Sequence, residues 1–361
     1  MTIDFSIAVL YTRILEIGRP FFLICNSMNV TLSGDYLKYK RNFYKHRWIM
    51  QEHKEYYFGE KRFYSLNEYC KQTFGGKVYR LSLNGGMTCP NRDGSLSHGG
   101  CSFCSEGGSG DFAANYQLSI THQIEEAKKR IQQKTDCHQF IAYFQAFTNT
   151  YAPVDHLRRI YTEALNAPEV VALSIGTRCD CISEDVLDLL EELANIKPIW
   201  IELGLQTIHN TTHQMLNTHT TVEQFDSIVT KLHARGIPVI THIILGLPNE
   251  TKDMMKETIH HVCKLPVSGI KLQLLHILKG TTLANMYEKT PVPLFELEEY
   301  CDFIVDCIEM LPPNMVVHRI TGDGPRKLLI APLWSTDKKR VLNTIEKRFK
   351  ERDTWQGKFY K

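Results

Sequence analysis

Three cysteines in one short stretch of the chain have the spacing of metal ligands. Only two residues separate Cys101 from Cys104, and Cys89 precedes this pair across eleven residues that end in Gly99 and Gly100. The glycines give the loop the freedom to fold back, so the three thiolates can converge. A [4Fe-4S] cluster takes four ligands, and three cysteines would leave one iron with an open position for a substrate or cofactor. The spacing therefore indicates Cys89, Cys101 and Cys104 as cluster ligands.

Two other interpretations fit the same residues. A single C-x2-C pair also occurs in structural zinc sites, which take four ligands, and His98 is the nearby candidate for a fourth. The three thiols could also be ordinary free cysteines. The position of the loop favours the cluster, because it follows the first predicted strand, and barrel folds carry their reactive groups at the carboxyl ends of strands.

Short β-rich apolar runs alternate with helical patterns along the middle of the chain. Strands are predicted at residues 78–83, 139–144, 170–176, 198–204, 238–245 and 269–278. Helical periodicity is found at residues 119–133, 183–194, 221–234 and 294–310. This alternation predicts an α/β fold with a parallel sheet. Because a closed barrel needs eight strands, six βα units predict a partial (β/α)6 TIM-type barrel with N- and C-terminal extensions.

The same pattern divides the chain into four segments. Residues 1–49 form an N-terminal extension, whose apolar stretch is interrupted by Arg13, Glu16 and Arg19 and is therefore a poor membrane span. Residues 50–76 are a lead-in segment and residues 77–290 the partial barrel. Residues 291–361 are a C-terminal extension ending in a basic helix. No membrane association is expected.

Composition restricts the class of protein. The chain has 42 Lys and Arg against 40 Asp and Glu, so any affinity for nucleic acid must come from local patches. Its 11 cysteines are irregularly placed, which favours free thiols in a reducing compartment and a cytoplasmic location.

The cysteine loop resembles the motif of the radical S-adenosylmethionine (SAM) superfamily, in which an aromatic residue precedes the last cysteine, as Phe103 does here. The first gap is longer than in most members and is similar to that of the Elongator catalytic-subunit-like branch. The match to the bacterial YtqA/YhcC-type family, also called MnmL, is closer and runs from about residue 64 to residue 334. The resembling blocks are residues 82–104, GSGDF from Gly108, YFQAFTNTY from Tyr143, GTR from Gly176, ELGLQ from Glu202 and HIILGLP from His242.

The resemblance implies two cofactors, the [4Fe-4S] cluster and SAM, with SAM chelating the open iron through its amino and carboxylate groups. Gly107, Gly108, Ser109 and Gly110 resemble the segment that contacts the methionine amino group. Arg178 would pair with the SAM carboxylate.

Further candidates lie at the strand ends. Glu202 lies in an apolar strand, so its charge needs a partner such as a ribose hydroxyl or an arginine. Neutral side chains suited to contact with adenine, ribose or substrate are Gln145, Asn149, Ser174, Gln206 and His242. An adenine-packing turn is predicted at Gly246 and Leu247. Candidates on the substrate side are Lys271, Gln273 and Cys181. Strand capping, salt bridges and tight turns are the structural alternatives for these residues.

The family resemblance also implies a reaction. A radical SAM enzyme cleaves SAM to a 5'-deoxyadenosyl radical, and this family would convert carboxymethylaminomethyl(-2-thio)uridine at the tRNA wobble position to aminomethyl(-2-thio)uridine. The implied partners are tRNA, an electron donor such as flavodoxin or ferredoxin, and a downstream tRNA methyltransferase.

Independent support for RNA comes from the C-terminal helix. Its basic residues, with aromatic neighbours, resemble a phosphate-and-stacking surface: Lys338, Lys339, Arg340, Lys347, Arg348, Phe349, Lys350, Arg352, Trp355, Phe359 and Tyr360. A solvated amphipathic helix is the alternative. Two alternative functions remain at this point: a radical SAM enzyme acting on a small molecule or protein, and a non-catalytic iron-sulfur or zinc module that binds tRNA.

Overall fold

The structure, a computed structural model, describes residues 58–108, 110–322 and 324–360. The predicted N-terminal extension, residues 50–57 of the lead-in segment and Ser109 lie outside these residues. Among the helices of the described ranges, none has the length and apolar character of a membrane span.

Helices and strands alternate through the predicted barrel. The strands are β1 (Tyr79–Leu83), β2 (Phe140–Phe144), β3 (Val170–Thr177), β4 (Ile199–Gln206), β5 (Val239–Leu245), β6 (Gly269–Leu274), β7 (Ile277–Leu278), β8 (Val316–Arg319) and β9 (Leu329–Ala331). The helices are α1 (Leu66–Phe74), α2 (Ile120–Gln132), α3 (Val154–Asn166), α4 (Glu184–Ala194), α5 (Asn210–Leu216), α6 (Val222–Ala234), α7 (Lys252–Lys264), α8 (Thr282–Lys289), α9 (Leu297–Glu309) and α10 (Lys338–Glu351).

The described residues contain a seven-stranded sheet in the order β1-β2-β3-β4-β5-β6-β8, and every pairing in it is parallel. The predicted α/β class and partial barrel are confirmed, with six strands where they were expected. The seventh, β8, comes from the segment interpreted as a C-terminal extension. The prediction for residues 269–278 was too long, because β6 ends at Leu274 and residues 277–278 pair with β9 in a separate ribbon.

Helix N-termini are fixed by side-chain caps. Ser119, Ser183, Thr221 and Thr251 each accept a hydrogen bond from the backbone N–H three residues later. Such caps satisfy amide groups that have no partner inside the helix, so each helix begins where the sequence pattern predicts.

An apolar layer fills the amino-terminal end of the barrel. Ile141, Ala172, Trp200 and Ile240 project from four adjacent strands and pack against Cys70 of α1. The two edge strands approach each other there, because Arg80 of β1 lies 3.3 Å from His318 of β8. The barrel interior is therefore packed at this end, and it opens only toward the carboxyl ends of the strands.

The last helix is held to the barrel by both of its faces. Its apolar side chains Val341, Ile345 and Phe349 are buried, each stabilising the packing by about 1.5–3 kcal/mol. On the adjoining face, Arg348 and Arg352 form ion pairs with Asp302 of α9. The predicted RNA surface is therefore wrong for Phe349, whose ring is buried, and stays a prediction for Arg348 and Arg352.

Candidate active site

A cavity of about 260 Å³ opens at the carboxyl ends of the barrel strands. Residues from the cysteine loop, from the ends of β2 to β6 and from the segment after β8 form its wall. The sequence-predicted residues that border it are Cys89, Cys101, Cys104, Gly108, Gln145, Arg178, Glu202, Gln206, His242, Lys271 and Gln273. The structure thus brings residues from distant parts of the chain to one cavity.

The three cysteines all border this cavity, and none of them forms a disulfide bond within the described part of the chain. The backbone N–H of Cys104 donates to the carbonyl of Cys101 at 3.0 Å, which closes the expected turn. A hydrogen bond with Cys104 lowers the pKa of Cys101 to about 6; burial opposes this shift, and the charges of Arg178 and Arg92 add to it. A thiolate is the form of cysteine that binds metal.

The cysteine loop is held in place by its neighbours. The guanidinium of Arg92 donates to the carbonyl oxygens of Cys104, Ser105 and Glu106, and the amide of Asn91 donates to Cys101 Sγ at 3.4 Å. Sequence reasoning missed Arg92, because nothing in its local pattern indicates that it folds back onto the segment after the cysteines.

Glycines keep the cavity free of side chains. Gly176 and Gly204 border it on β3 and β4. A Cβ atom on Gly204 would lie 2.5 Å from Gln206 Nε2, and one on Gly108 would collide with the ring of Phe147. In addition, the buried Oε1 of Gln206 has no hydrogen-bond partner among the described residues. Open space beside an acceptor of this kind fits a bound polar ligand.

A buried polar cluster occupies the barrel at the bottom of the cavity. Lys271 forms an ion pair with Oε2 of Glu202, and His242 Nε2 lies 2.9 Å from the same oxygen. Ser174 donates to the other carboxylate oxygen at 3.0 Å, and Lys271 Nζ lies 3.2 Å from the hydroxyl of Tyr143. Glu202 therefore has the protein partner that its buried charge requires, and this partner is Lys271, 69 residues away, which the sequence did not identify.

Burial and neighbouring charges shift the pKa values of this cluster. Burial raises the pKa of Glu202, but the charge of Lys271 and the hydrogen bond with His242 outweigh it and hold that pKa well below the usual value. Burial and the charge of Lys271 lower the pKa of His242 to about 4. Burial lowers the pKa of Lys271 to about 7, against the opposing effect of Glu202. The imidazole of His242 is therefore neutral at pH 7.

Arg178 borders the cavity but binds a protein carboxylate. Its Nε and one terminal nitrogen lie 2.9 Å and 2.7 Å from the two oxygens of Asp180, and the same nitrogen donates to the carbonyl of Thr218. The bidentate partner in the structure is thus Asp180, where the resemblance implied the SAM carboxylate. The positive charge still acts on the cysteine loop.

Several predicted residues do not border the cavity. Asn149 is buried, and its amide nitrogen donates to the carbonyls of Phe144 and Gly176, joining β2 to β3. The other predicted residues outside the cavity wall are Gly107, Gly110, Ser174, Gly246 and Leu247. Cys181 borders a second cavity beside Asp180, not the first. The cofactor role predicted for Asn149 is replaced by a structural one, because the polar side chain satisfies buried carbonyls.

The structure adds residues that the sequence pattern did not single out. Arg319, at the end of β8, borders the cavity and lies directly across from Lys271 in the strand register. Phe112 also borders the cavity and is 55% exposed, and Phe103, the aromatic residue of the cysteine motif, borders it from the same side. The only available signal for Arg319 was its place after two valines, which is too short to predict a strand.

A single metal ion and a cluster make different demands on their cysteine ligands. Within the described ranges, no group of three or more His, Cys, Asp or Glu side chains converges tightly enough to hold one metal ion. A [4Fe-4S] cluster places its cysteine ligands on separate irons, so it needs sulfur atoms farther apart. His98, the candidate fourth zinc ligand, lies beside Gly94 and is not among the residues that border the cavity.

Comparisons with known proteins identify relatives that cover most of the chain. The family model described as the radical SAM superfamily matches residues 89–262, and that of the radical SAM C-terminal domain matches residues 267–351. YtqA of Bacillus subtilis is 46% identical over 301 residues, which cover 83% of this chain and 94% of YtqA. YhcC of Escherichia coli K12 is 37% identical over 262 residues, 72% of this chain and 84% of YhcC.

More distant similarities concern part of the chain or the fold alone. A tRNA uridine(34) acetyltransferase of Methanocaldococcus jannaschii is 25% identical over 163 residues, 44% of this chain and 30% of that protein. The solved structure of Elp3 from Methanocaldococcus infernus superimposes with a TM-score of 0.59 at 16% identity, covering 77% of this chain and 64% of that one. This chain is a radical SAM enzyme and belongs to the family of YtqA and YhcC.

Proposed function

We propose that the chain binds a [4Fe-4S] cluster through Cys89, Cys101 and Cys104, and SAM in the adjoining cavity. The observation that carries this proposal is that all three thiols border one cavity at the carboxyl ends of the barrel strands. When reduced, such a cluster supplies the electron that cleaves SAM to methionine and a 5'-deoxyadenosyl radical, which abstracts hydrogen from a substrate.

The protein's own residues prepare the cavity for these cofactors. The charges of Arg92 and Arg178 favour the thiolate of Cys101. Phe103 on the cavity wall would reduce the access of water to the reacting groups. The Oε1 atom of Gln206, which has no partner among the described residues, would accept a hydrogen bond from a ligand N–H or O–H.

The proposed substrate is tRNA carrying carboxymethylaminomethyl(-2-thio)uridine at the wobble position, and the product is the aminomethyl form. Support comes from the family of YtqA and YhcC, and from the partial similarity to an enzyme that acts on uridine 34 of tRNA. Hydrogen abstraction from the glycine-like methylene would give a carbon radical next to the nitrogen. Loss of one further electron to an acceptor, such as the oxidised cluster, would give an iminium ion, and its hydrolysis would release glyoxylate and leave the primary amine on the uridine. Lys271 and Gln273 border the cavity and are proposed to contact the substrate.

The surface around the cavity is suited to RNA. Phe112 and Tyr116 are exposed to 55% and 62% beside the cysteine loop, where aromatic rings can stack on bases. Arg326 and Lys327 are exposed and directly follow Pro325, which borders the cavity. We call Arg326 and Lys327 the basic rim, and propose that it contacts tRNA phosphates.

The same proposal includes a location in the cytoplasm, reduction of the cluster by flavodoxin or ferredoxin, and methylation of the product by a separate tRNA methyltransferase. They follow from the chemistry, because the cluster needs a one-electron donor and the product is a primary amine that can be methylated.

The test is anaerobic reconstitution with iron and sulfide, followed by SAM, a reductant and tRNA carrying the wobble modification. We expect the wild type to hold about four irons per chain, release 5'-deoxyadenosine and convert the nucleoside, as measured by mass spectrometry. Cys101→Ala should lose the iron, the release of 5'-deoxyadenosine and the conversion of the nucleoside. Cys263→Ala, which removes a half-buried thiol outside the cavity, is the matched control and should retain them.

The outcomes separate the parts of the proposal. Wild-type protein that releases no 5'-deoxyadenosine contradicts the SAM chemistry. Release that tRNA does not stimulate, with the nucleoside unchanged, contradicts the tRNA substrate and favours a small molecule or protein in its place.

A further inference from the structure

The side chain of Asn91 contacts the sulfur of a proposed cluster ligand. Asn91 lies two residues after Cys89 and is fully buried. Its side-chain nitrogen donates to Cys101 Sγ at 3.4 Å and also to the backbone carbonyl of Asn217. These two contacts use both hydrogens of the amide group. Asn91 therefore directs one N–H group at the sulfur, while the other is held by the backbone of a distant segment.

The surroundings of Asn91 determine which end of its amide faces the sulfur. The carbonyl oxygen of Asn217 can only accept a hydrogen bond, so it requires the nitrogen of the amide. In the reverse orientation, Oδ1 of Asn91 would face another oxygen, and two acceptors repel each other. The Oδ1 atom is buried without a hydrogen-bond partner among the described residues, so it meets no donor that would favour the reverse orientation. The N–H group is therefore held toward Cys101.

The carboxyl end of α5 holds Asn91 and the cysteine loop. The last carbonyl groups of a helix have no partner inside the helix. Here the carbonyls of Met215 and Leu216 accept from the side chain and the backbone of Ser102. The carbonyl of Asn217, at the end of the helix, accepts from Asn91. Helix α5 thus holds the loop on both sides of its second cysteine.

Backbone contacts bring Asn91 beside Cys101 without involving the sulfur. The eleven residues between Cys89 and Cys101 close on themselves, because the N–H of Gly100 donates to the carbonyl of Asn91 at 2.8 Å. The side chain of Asn217 donates to the carbonyl of Gly100 at 3.1 Å. The distance between the amide of Asn91 and the sulfur is therefore set by the fold of the loop.

A hydrogen bond to a ligand sulfur changes the reduction potential of an iron-sulfur cluster. Reduction adds negative charge to the cluster and its sulfur ligands, so a nearby donor stabilises the reduced form more than the oxidised form. Burial strengthens the effect, because the protein interior screens charge less than water does. A buried donor such as Asn91 would therefore make the cluster easier to reduce.

We propose that Asn91 is a positioning residue whose hydrogen bond to Cys101 Sγ raises the reduction potential of the [4Fe-4S] cluster, and that the carboxyl end of α5 keeps its amide in place. This inference rests on the proposed function and deepens it, because it assigns control of the potential to residues outside the ligand set. The sequence pattern does not indicate this role, since Asn91 and Asn217 are 126 residues apart.

The test is a redox titration of the reconstituted full chain without SAM, in which electron paramagnetic resonance measures the reduced cluster. Asn91→Leu keeps the approximate size of the side chain and removes its donor. We expect the variant to have a lower reduction potential than the wild type. At a given potential its ratio of reduced to oxidised cluster should fall about tenfold, which corresponds to about 59 mV for a one-electron couple. Asn195→Leu makes the same change on an exposed residue at the end of α4 and should leave the potential unchanged.

A second measurement uses the wild type and does not depend on the folding of a variant. The protein is produced with asparagine labelled with nitrogen-15 in its side-chain amide. Pulsed electron paramagnetic resonance then measures the hyperfine coupling of this nitrogen to the reduced cluster. We expect a coupling in the wild type and none in Asn91→Leu.

The outcomes separate this inference from the proposed function. An unchanged potential in Asn91→Leu, an equal shift in Asn195→Leu, or no asparagine coupling in the wild type overturns the role of Asn91 and leaves the cluster in place. If Asn91→Leu binds no cluster, the coupling in the wild type supports the inference and its absence overturns it. Wild-type protein that takes up no iron and sulfide contradicts the proposed function, and the inference fails with it.

Discussion

Replacing Lys271 by methionine should destabilise the folded protein strongly, because it leaves a buried carboxylate without its main counter-charge. The side chains of Lys271 and Glu202 are 1% and 0% exposed. Removing one partner of a buried ion pair costs about 3–5 kcal/mol. His242 and Ser174 still contact the carboxylate, so we expect a loss near the lower limit, about 3 kcal/mol.

The double variant Glu202→Gln/Lys271→Met provides the control for this estimate. It removes both charges together and should lie within about 1–2 kcal/mol of the wild type, because neutral replacement of a buried pair is often tolerated. The measurement is urea unfolding of the three proteins without cofactors, followed by circular dichroism. A single variant that loses less than about 1 kcal/mol, or a double variant as unstable as the single one, would refute the assignment of Lys271 as the compensating charge.

The same substitution should change the dependence of stability on pH. Burial and Lys271 lower the pKa of His242 to about 4 in the folded protein, below the value of about 6.5 in an unfolded chain. The unfolded chain therefore binds a proton more readily, and stability falls as the pH decreases from about 6.5 toward 4. In Lys271→Met the pKa of His242 should rise, because a protonated His242 then compensates the charge of Glu202. The loss of stability between about pH 6.5 and pH 4 should therefore be smaller than in the wild type. An unchanged slope over that range would contradict the coupling.

Three further predictions concern groups around the cavity. Asn149→Ala should destabilise the protein by about 1–3 kcal/mol in urea unfolding, because the carbonyls of Phe144 and Gly176 each lose one side-chain hydrogen bond. The Kd for SAM of the folded, reconstituted variant should stay within about twofold of wild type. Gly246→Ala should lower the free energy of unfolding by about 1–2 kcal/mol in the same assay, because the φ of Gly246 is +87° and a new Cβ would lie 3.0 Å from Phe295. An unchanged free energy of unfolding would show that the turn is free to adjust. The double variant Arg326→Glu/Lys327→Glu reverses the charge of the basic rim, so it should weaken tRNA binding by at least about tenfold at low salt and leave SAM binding unchanged. The control double variant Lys129→Glu/Arg130→Glu on α2 should have little effect on tRNA binding. Equal losses of tRNA binding in the two double variants would argue against the basic rim.

The fold could be predicted where the signal lies within one segment of the chain. Strands β1 to β5 were placed to within two residues at each end, because their apolar runs are bounded by helical periodicity on either side. The capped start of α4 at Glu184 was predicted from the Ser183 acceptor. Strand β8 was missed because Val316–Arg319 is short and pairs with segments that are distant in sequence, β6 and Ser65.

In the candidate site, too, the residues that lie on one segment could be predicted, and the contacts between distant segments could not. Cys89, Cys101 and Cys104 lie on one loop, so their spacing carries the information. The partner of Glu202 depends on the register between β4, β5 and β6, which brings Lys271 across from His242 and close to the carboxylate. The same register, and not the residue type, decides the role of a polar side chain at the end of a strand. It determines whether the side chain points into the cavity, as Gln206 does, or satisfies carbonyls between strands, as Asn149 does.

The most direct test of the central claim is the electron paramagnetic resonance spectrum of the reduced, reconstituted protein with and without SAM. Three cysteine ligands leave one iron of the cluster open, so SAM binding at that iron should shift the spectrum of the wild type. Cys89→Ala should give little cluster signal. A wild-type spectrum that SAM leaves unchanged, or a protein that retains zinc in place of iron and sulfide, would contradict the account.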